Sequence, residues 1–464
     1  MFKNKRNIVY ILGFIILVAL VLRLFMVYKT HGNFELSEKD AKNYQNMSIQ
    51  LVEKGIYGYS IENDKFSETP NAYVTPGYPA FLSVVYFFFR NPMLQITIVR
   101  ILQALLGSLS VLLGFLIAKK ISKNVYVGLV CAGLMAVNPM FISSTVILLT
   151  EVLSLFTLLL YLYTVIVAVQ KESKIMYIVS GVCFALNVLV RPASLPIIIV
   201  PFIYLFFSKH KWKFGKVTIY GLLHLLGFFV MMSPWVIRNV VTLNSFVLTG
   251  TMAGNPILAG SYPYRDPNDS SPFYDVVGTD IMASSDTQQT HAIKRIMEGF
   301  ITEPFLYLKW YTVGKISYMF SEPWLMDKLP AFRNVQTLLT YITILTAWVI
   351  TLWKGIKNKL YKYVPWYALF ILPLVLLIIP RNNITDTIFH IILLIGGAVG
   401  MIFYSRKNKE YAFFNIFTAL MFVLLLPFIP ITRYTYQIMF FFILGFAYLL
   451  VGHIKRGESK CQES

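Results

Sequence analysis

The chain is short of charged residues, and acidic residues are the scarcest of them. Only 14% of its 464 residues are charged, whereas 57% are hydrophobic, and the mean hydropathy is +0.63. This balance excludes an ordinary soluble domain and predicts a polytopic helical membrane protein. The 41 Lys and Arg residues outnumber the 22 Asp and Glu residues, which gives a formal net charge of +19.

Other features are rare or missing. Cysteine occurs only at Cys131, Cys183 and Cys461, two of them in apolar runs and one in the basic tail, which argues against a disulfide framework. The sequence has no Gly-rich loop ending in Lys-Ser or Lys-Thr, so it offers no cradle for a nucleotide phosphate. It also shows no internal repeat.

The basic residues fall in short clusters between apolar runs. Such clusters keep a membrane protein in one orientation, because cytoplasmic loops carry an excess of Lys and Arg. We therefore assign the basic excess to membrane topology and expect no nucleic-acid partner. The clusters lie at 119–123, 209–216, 354–362, 406–409 and 455–456.

Apolar runs long enough to cross a bilayer occur about twelve times. Twelve spans place both termini and every basic cluster in the cytoplasm, as expected for a multi-pass protein of the plasma membrane. Arg23, near the outer end of the first span, is expected to extend its guanidinium to the interface. The runs are 8–28, 94–118, 124–140, 152–169, 175–190, 194–208, 216–236, 334–353, 363–380, 384–404, 411–430 and 433–452.

Two segments on the predicted outer side are long. The first outer loop covers 29–93, and the second begins near residue 237 and runs to about 333. Within the second, apolar and basic residues alternate at helical spacing over 291–320, which predicts an amphipathic helix on the outer membrane surface. The run 78–89 is too short to cross and is expected to lie in the interface.

Acidic residues are concentrated on the predicted outer side. Of the 22 Asp and Glu residues, only Glu172, Glu410, Glu458 and Glu463 fall on the cytoplasmic side. The positive-inside rule does not require this bias. The outer face therefore has carboxylates for another reason.

Five ionisable residues are expected at the outer rim, at the ends of spans or in the first outer loop. Ionisable residues close to the membrane interior are costly to place and are often functional. Each one alone is most simply an interfacial anchor or a helix-end charge, but five on one face favour a shared polar cavity. They are Asp40, Glu151, Arg191, Arg238 and Arg433.

A cavity with one or two carboxylates and several arginines suits transfer from a phosphate-linked donor. A carboxylate can take a proton from an incoming hydroxyl. Guanidinium groups match phosphate oxygens bidentately and hold their charge. A phosphate at the membrane surface that carries an apolar tail is a lipid-linked donor, whereas soluble nucleotides are not normally available outside the cytoplasm.

Short motifs follow one another in a definite order along the chain. They are Leu22-Arg23-Leu24, Asp40 with Tyr44, Leu51 with Gly55 and Tyr57, Thr75-Pro76-Gly77-Tyr78-Pro79-Ala80-Phe81-Leu82, Thr150-Glu151, Arg191-Pro192, Pro234-Trp235 with Arg238-Asn239, and Arg433-Tyr434. This series resembles the bacterial lipid-carrier-dependent glycosyltransferases of family 39, the dolichyl-phosphate-mannose–protein mannosyltransferase type of the GT-C superfold. The resemblance covers roughly the first half of the chain and is thin beyond residue 320.

The resemblance implies a fold and a division of the chain. The expected fold is an all-α, GT-C-like bundle of about twelve transmembrane helices, in which the two outer loops carry interfacial amphipathic helices. A catalytic membrane module is expected at 1–320, followed by more divergent transmembrane helices at 321–464.

The resemblance also implies roles for the matched residues. Asp40 is the expected general base on the acceptor hydroxyl, although Lys39 and Ala41 stand where many members have a second acid. Glu151 matches a rim acid whose role varies among relatives. The donor phosphate is expected to face three arginines, namely Arg191, Arg238 and Arg433.

Tyr44, Pro76, Gly77 and Tyr78 belong to the same motifs and are expected to shape the substrate loop. Pro-Gly-Tyr-Pro predicts a tight turn that redirects the chain from the loop into the interfacial helix. Some members of the superfold use a divalent cation and others do not. If Mg²⁺ or Mn²⁺ binds here, the ligands would be Asp40 and Glu151.

The expected activity is that of an inverting glycosyltransferase, a hexosyl- or pentosyltransferase. It would move a sugar from a polyprenyl-phosphate carrier to a hydroxyl on an envelope glycan, lipid or protein at the extracytoplasmic face. Two alternatives remain open at this point. One is a lipid-linked-sugar flippase or transporter, and the other is a glycan polymerase or ligase.

Overall fold

In the computed structural model, the described residues are 5–30, 39–60, 65–200, 214–265, 280–324, 383–405 and 409–452. Their regular secondary structure consists of helices, as the composition predicts. The predicted spans at 334–353 and 363–380 lie outside the described residues, as does the second half of the span at 194–208.

The described residues of the first half of the chain form eight α-helices. They are α1 (Lys5–Lys29), α2 (Lys39–Lys54), α3 (Gly77–Phe88), α4 (Pro92–Ser122), α5 (Val125–Val137), α6 (Pro139–Ser143), α7 (Glu151–Lys171) and α8 (Lys174–Val190). Two 3₁₀ helices, Ser144–Val146 and Pro192–Ile199, precede and follow the α7–α8 pair.

Asparagine caps explain several of the helix starts in this half. The side chains of Asn91, Asn124 and Asn138 accept hydrogen bonds from backbone N–H groups in the first turns of α4, α5 and α6. These side chains satisfy donors that lack a partner within the helix. Pro92 and Pro139 stand at the first helical position, where the missing N–H costs nothing.

From residue 214 onwards, the described ranges contain eight further α-helices. They are α9 (Phe214–Leu243), α10 (Gly254–Gly260), α11 (Ile281–Thr302), α12 (Pro304–Lys309), α13 (Lys315–Met319), α14 (Asn383–Ser405), α15 (Lys409–Leu425) and α16 (Met439–Val451). A π-helical turn, Trp310–Gly314, joins α12 to α13. The 3₁₀ helix Thr432–Thr435 precedes α16.

Within the described part of the chain, four helices are long and apolar enough to cross a membrane: Arg6–Lys29, Pro92–Ser122, Glu151–Lys171 and Phe214–Leu243. A fifth span results if Val125–Val137 and Pro139–Val146, bent by 56°, are one. The chain is therefore a multi-pass, all-helical membrane protein. The total of about twelve spans stays a prediction.

Glycine allows two pairs of helices to pack closely. A Cβ on Gly181 of α8 would lie 1.9 Å from the backbone oxygen of His224, and one on Gly227 of α9 would lie 2.1 Å from that of Ile178. On α14, a Cβ on Gly400 would lie 2.0 Å from the oxygen of Gly445 on α16. Small residues at such crossings let helix backbones approach within a membrane.

Arg23 does not extend to the interface, so that prediction was wrong. Its side chain is buried, and its guanidinium donates hydrogen bonds to the carbonyl oxygens of Ala19, Met135 and Ala136. Residues 135 and 136 belong to the last turn of α5, whose carbonyls lack partners because the helix ends at Asn138-Pro139. A buried guanidinium at this site satisfies them.

The predicted amphipathic helix at 291–320 is a series of helical pieces, α11 to α13, broken at Glu303-Pro304 and at the π-helical turn. Many apolar side chains of these pieces face outwards, as in interfacial helices: Ile293, Met297, Phe300, Ile301, Phe305 and Leu308. Lys315, one of the basic residues of this stretch, is fully buried.

Candidate active site

Arg433 connects two carboxylates that are far apart in the sequence. It lies in the 3₁₀ helix Thr432–Thr435, just before α16. Its Nη1 is 2.8 Å from Oδ2 of Asp40, near the start of α2, and its Nε is 2.5 Å from Oε1 of Glu151, the first residue of α7. Charge-assisted hydrogen bonds of this kind are the strong ones.

Glu151 is held by the segment that precedes it. Residues 144–150 leave the bent α5–α6 pair without forming an α-helix, and side chains of α4 bind their carbonyls. Arg100 donates to the oxygen of Val146 at 2.8 Å, and Gln103 donates to the oxygens of Thr145 and Ile147. The position of Glu151 at a helix N-terminus also favours its negative charge.

Arg191 is the fourth member of the cluster. It caps the 3₁₀ helix Pro192–Ile199, and its Nη1 is 3.6 Å from the same Oε1 of Glu151 that Arg433 binds. Its guanidinium lies 5.4 Å from the centre of the Tyr434 ring, within the range of a cation–π interaction. Asp40, Glu151, Arg191 and Arg433 thus form one ion network.

The two acids of the network differ in their exposure to solvent. The side chain of Glu151 is only 1% exposed, whereas that of Asp40 is 42% exposed. The second carboxylate oxygen of Glu151, Oε2, is buried without a hydrogen-bond partner. Asp40 is therefore the acid that a molecule from outside reaches first.

The charge state of Arg433 is well defined. Burial alone lowers the pKa of its guanidinium, but Glu151 and Asp40 outweigh this effect and hold the pKa well above its usual value. Arg191 lacks such full compensation, because burial lowers its pKa more than the attraction of Glu151 raises it. Two cations and two anions leave the cluster formally neutral.

Arg238 lies in a different environment from the other arginines. It donates to the backbone oxygens of Asn71 at 3.1 Å and Tyr57 at 2.8 Å, and it sits over the rings of Tyr57 and Trp235. These contacts fasten the first outer loop to α9. Among the described residues, no ion pair joins Arg238 to the network around Arg433.

Tyr44 and Tyr78 pack beneath the network. Their rings meet edge to face at 5.3 Å, and the hydroxyl of Tyr78 donates to Gln103 at 2.9 Å. Burial raises the pKa of Tyr44, and the carboxylate of Asp40 raises it further. Tyr44 therefore supports Asp40 as a neutral, buried side chain.

Pro76 and Gly77 set the approach of α3 to α8. Pro76 is the residue before the first turn of α3, and a Cβ on Gly77 would lie 2.6 Å from the carbonyl group of Leu189. Leu189 lies two residues before Arg191. The turn therefore brings the first outer loop against the end of the helix that carries an arginine of the network.

A small cleft opens beside Arg191. Its polar side chains come from Arg191, Ser194, Tyr434 and Gln437. The other side chains of its wall are apolar and belong mostly to the 3₁₀ helix after α8 and to α15: Ala193, Ile197, Met421, Leu424 and Leu425.

Sequence reasoning missed Arg100 and Gln103, which hold the segment before Glu151. Their signal was present, because a charged residue and an amide lie inside the apolar run at 94–118. An ionisable residue within a span is by default a candidate for a specific role.

The donor set does not fit a divalent cation. Asp40 and Glu151 both bind the guanidinium of Arg433, and a cation between them would meet its positive charge. Within the described ranges, no group of three or more His, Cys, Asp or Glu side chains is placed to hold a metal ion. Carboxylate sites for Mg²⁺ and Mn²⁺ depend on oxygen ligands that are not already paired with an arginine.

Comparison with known proteins supports the family resemblance. Residues 74–237 match the family model described as dolichyl-phosphate-mannose-protein mannosyltransferase. The matched segment contains Glu151 and Arg191, and it ends one residue before Arg238. The resemblance to this glycosyltransferase family is therefore confirmed on that segment. Among curated protein sequences, none matches this chain.

Solved structures show the same fold. The Archaeoglobus fulgidus oligosaccharyltransferase in its apo form aligns with 96% of this chain at 13% identity and a TM-score of 0.53. The archaeal oligosaccharyltransferase AglB from Archaeoglobus fulgidus, in complex with an inhibitory peptide and a dolichol-phosphate, aligns with 97% at 13% identity and a TM-score of 0.52. This chain spans about half of their length, 50% in both cases. The GT-C-like fold is thereby confirmed.

Proposed function

We propose that the protein is an inverting glycosyltransferase that moves a sugar from a polyprenyl-phosphate donor to a hydroxyl at the extracytoplasmic face. The observation that carries this proposal is the ion network, in which four predicted residues from separate parts of the chain meet: Asp40, Glu151, Arg191 and Arg433. The family match supports it, as does the likeness in fold to an oligosaccharyltransferase solved with a dolichol-phosphate.

The donor fits the side of the network that carries Arg191. The wall of the cleft is polar at Arg191 and apolar along α15, so its chemistry matches a phosphate joined to an isoprenoid chain. Arg191 and Arg433 would hold the phosphate oxygens, since guanidinium groups bind phosphate bidentately. Arg238 we assign to bracing the first outer loop, because it binds backbone oxygens of that loop and, among the described residues, makes no ion pair with the network.

The acceptor hydroxyl fits the side of Asp40, the exposed acid. Oδ2 of Asp40 binds Arg433, and its other oxygen takes the proton of the hydroxyl as that oxygen attacks the anomeric carbon. The bond between the anomeric carbon and the phosphate oxygen breaks, and its electron pair leaves with the polyprenyl phosphate. One displacement inverts the anomeric configuration, and Asp40 then releases its proton to water.

The two arginines act on the phosphate of the leaving group. Negative charge grows on the phosphate as the bond breaks, and two preorganised guanidinium groups stabilise it without reorganising. Glu151 holds both arginines through one buried oxygen and so fixes their positions. The lipid, the glycan and the protein hydroxyl remain equivalent as acceptors at this level of the proposal.

The test is a lipid profile of cells that lack the chain. We expect a polyprenyl-phosphate sugar to accumulate and one envelope decoration to disappear. Wild type and Glu53→Gln, an exposed carboxylate on the same helix α2, should restore both, whereas Asp40→Asn should restore neither. Full rescue by Asp40→Asn at equal protein level would contradict the proposal.

An assay in vesicles without acceptor distinguishes a glycosyltransferase from a flippase. A flippase moves a lipid-linked sugar across vesicles without an acceptor, and its activity would not need Asp40 as a base. Translocation in acceptor-free vesicles that is unchanged by Asp40→Asn would favour the flippase instead.

A further inference from the structure

Two tyrosines of the first outer loop, Tyr59 and Tyr73, have no role in the reaction described so far. Tyr59 and Tyr73 are both half-buried. Their ring centres are 4.9 Å apart, and the rings are inclined by 37°. They therefore form an aromatic surface that packs partly against the hydrophobic core and is partly exposed.

The helix of Asp40 fixes one end of this surface. Asn43 lies three residues after Asp40, on the same face of α2. Its amide donates a hydrogen bond to the hydroxyl of Tyr59 at 2.7 Å. Burial raises the pKa of both tyrosine hydroxyls, and the Asp40 carboxylate raises it further, to about 12 for Tyr73. Asn43 therefore joins Tyr59 to the turn of α2 that carries Asp40.

A single asparagine fixes the other end. The side-chain oxygen of Asn71 accepts hydrogen bonds from the backbone N–H groups of Tyr59 and Tyr73. Its amide nitrogen donates a hydrogen bond to the backbone carbonyl oxygen of Tyr59. Arg238 binds the backbone oxygen of Asn71 itself. The backbone of both tyrosines and the hydroxyl of Tyr59 are thus held in place before any ligand arrives, and a preorganised surface loses little entropy on binding.

We propose that Tyr59 and Tyr73 form the acceptor subsite and that the acceptor is a carbohydrate whose ring packs on them. This inference rests on the proposed function. A sugar ring offers an apolar C–H face together with hydroxyls. A tyrosine pair offers the matching apolar surface together with polar tips. A serine or threonine side chain of a peptide offers one methylene or methyl group and would leave most of the aromatic surface uncovered.

Binding without donor tests the subsite on its own. The probes are methyl glucopyranoside, methyl galactopyranoside and a threonine-containing hexapeptide, measured by saturation-transfer NMR with the protein in nanodiscs. We expect at least one glycoside to bind, and its Kd to rise about tenfold in Tyr59→Leu and in Tyr73→Leu. Tyr59→Phe, which keeps the ring, should bind within about twofold of wild type.

A matched control is available on the outer surface. Tyr318 is 40% exposed and packs on Trp310 and Tyr264, away from Asp40 in the chain's outer helices. Tyr318→Leu should leave glycoside binding unchanged. Thermal unfolding midpoints of all variants verify that each one folds.

Three results would overturn the inference: no glycoside binding to wild type, equal binding to the leucine variants, or binding of the hexapeptide alone. Slow hydrolysis of a polyprenyl-phosphate sugar in the absence of acceptor distinguishes this failure from failure of the proposed function. That hydrolysis needs the donor side only, so it should persist in Tyr59→Leu whether or not the acceptor is a sugar. Its absence from wild type would count against the donor assignment.

Discussion

Asp40 and Glu151 bind the same guanidinium but lie in different surroundings. Glu151 is almost fully buried, whereas the side chain of Asp40 is 42% exposed. A buried ion pair that loses one partner leaves an uncompensated charge in the low-dielectric interior of the protein. An exposed ion pair is screened by water. Replacement of Glu151 should therefore lower the free energy of unfolding more than replacement of Asp40, although the two side chains are chemically similar.

Replacement of either acid by its amide measures this difference. We expect Glu151→Gln to destabilise the protein by about 3–5 kcal/mol, because Arg191 and Arg433 would lose their shared carboxylate. Asp40→Asn should cost about 1 kcal/mol or less, since its pair with Arg433 is partly solvated. Unfolding midpoints in one detergent compare the two. Equal midpoints would show that burial does not govern the network.

Removal of divalent cations tests the arrangement of the carboxylates. Because Asp40 and Glu151 both bind Arg433, we expect EDTA treatment to leave the rate of sugar transfer unchanged. The measurement is release of polyprenyl phosphate before and after chelation, with Mg²⁺ and Mn²⁺ added back. Loss of activity that either metal restores would mean that Arg433 leaves the carboxylates in the working enzyme.

At the level of elements, helices α10 and α13 hold the segment that leads to Arg433. The Nζ of Lys315 on α13 donates to the backbone oxygens of Leu426 at 2.5 Å and Phe428 at 2.9 Å. The N–H of Ile429 donates to the oxygen of Pro256 on α10. Residues 426–429 are thus clamped on both sides, a few residues before Arg433.

This clamp should make stability depend on pH. Burial lowers the pKa of Lys315 to about 7, whereas a lysine in the unfolded chain titrates at about 10.4. Between these values the unfolded state binds more protons, so the free energy of unfolding should rise from about pH 7 to pH 10. A neutral amine keeps two N–H groups, which match the two backbone oxygens.

Lys315→Met isolates the contribution of this lysine. The difference between the unfolding midpoints of wild type and Lys315→Met should grow in favour of wild type from pH 7 to pH 9. Other titrating groups are the same in both proteins and cancel. A constant difference would show that Lys315 does not titrate in this range.

The sequence allowed the helices to be predicted far better than their interruptions. The apolar runs at 94–118, 152–169, 175–190 and 216–236 all lie within observed helices, since length and hydropathy decide them. The breaks depend on tertiary contacts. Pro139 marks the bend after α5, but the use of Arg23 to satisfy the last turn of that helix follows only from how α1 packs.

The sequence indicated which residues belong to the candidate site better than it indicated which of them contact one another. Asp40, Glu151, Arg191 and Arg433 stood out as charges at the ends of apolar runs. That Arg433 bridges two acids, and that Arg238 binds loop carbonyls instead, requires distances between residues more than 150 positions apart in the sequence. No local pattern carries such information.

For the whole molecule, the proposal requires one orientation in the membrane. Asn91 and Lys123 cap opposite ends of α4, the longest candidate span. A cysteine at Asn91 should react with a membrane-impermeant maleimide in intact cells, whereas one at Lys123 should react only after permeabilisation. The basic residues Lys119 and Lys120 predict this orientation. The reverse labelling pattern would place the ion network in the cytoplasm.

The central claim is that the ion network transfers a sugar from a lipid phosphate with Asp40 as the base. The most direct measurement is release of polyprenyl phosphate by the purified protein in vesicles, with the anomeric configuration of the product determined by NMR. The account predicts release with inversion by wild type and by Glu53→Gln, and a rate about 10²–10⁴ lower for Asp40→Asn. Retention of configuration, or full activity of a folded Asp40→Asn protein, would contradict it.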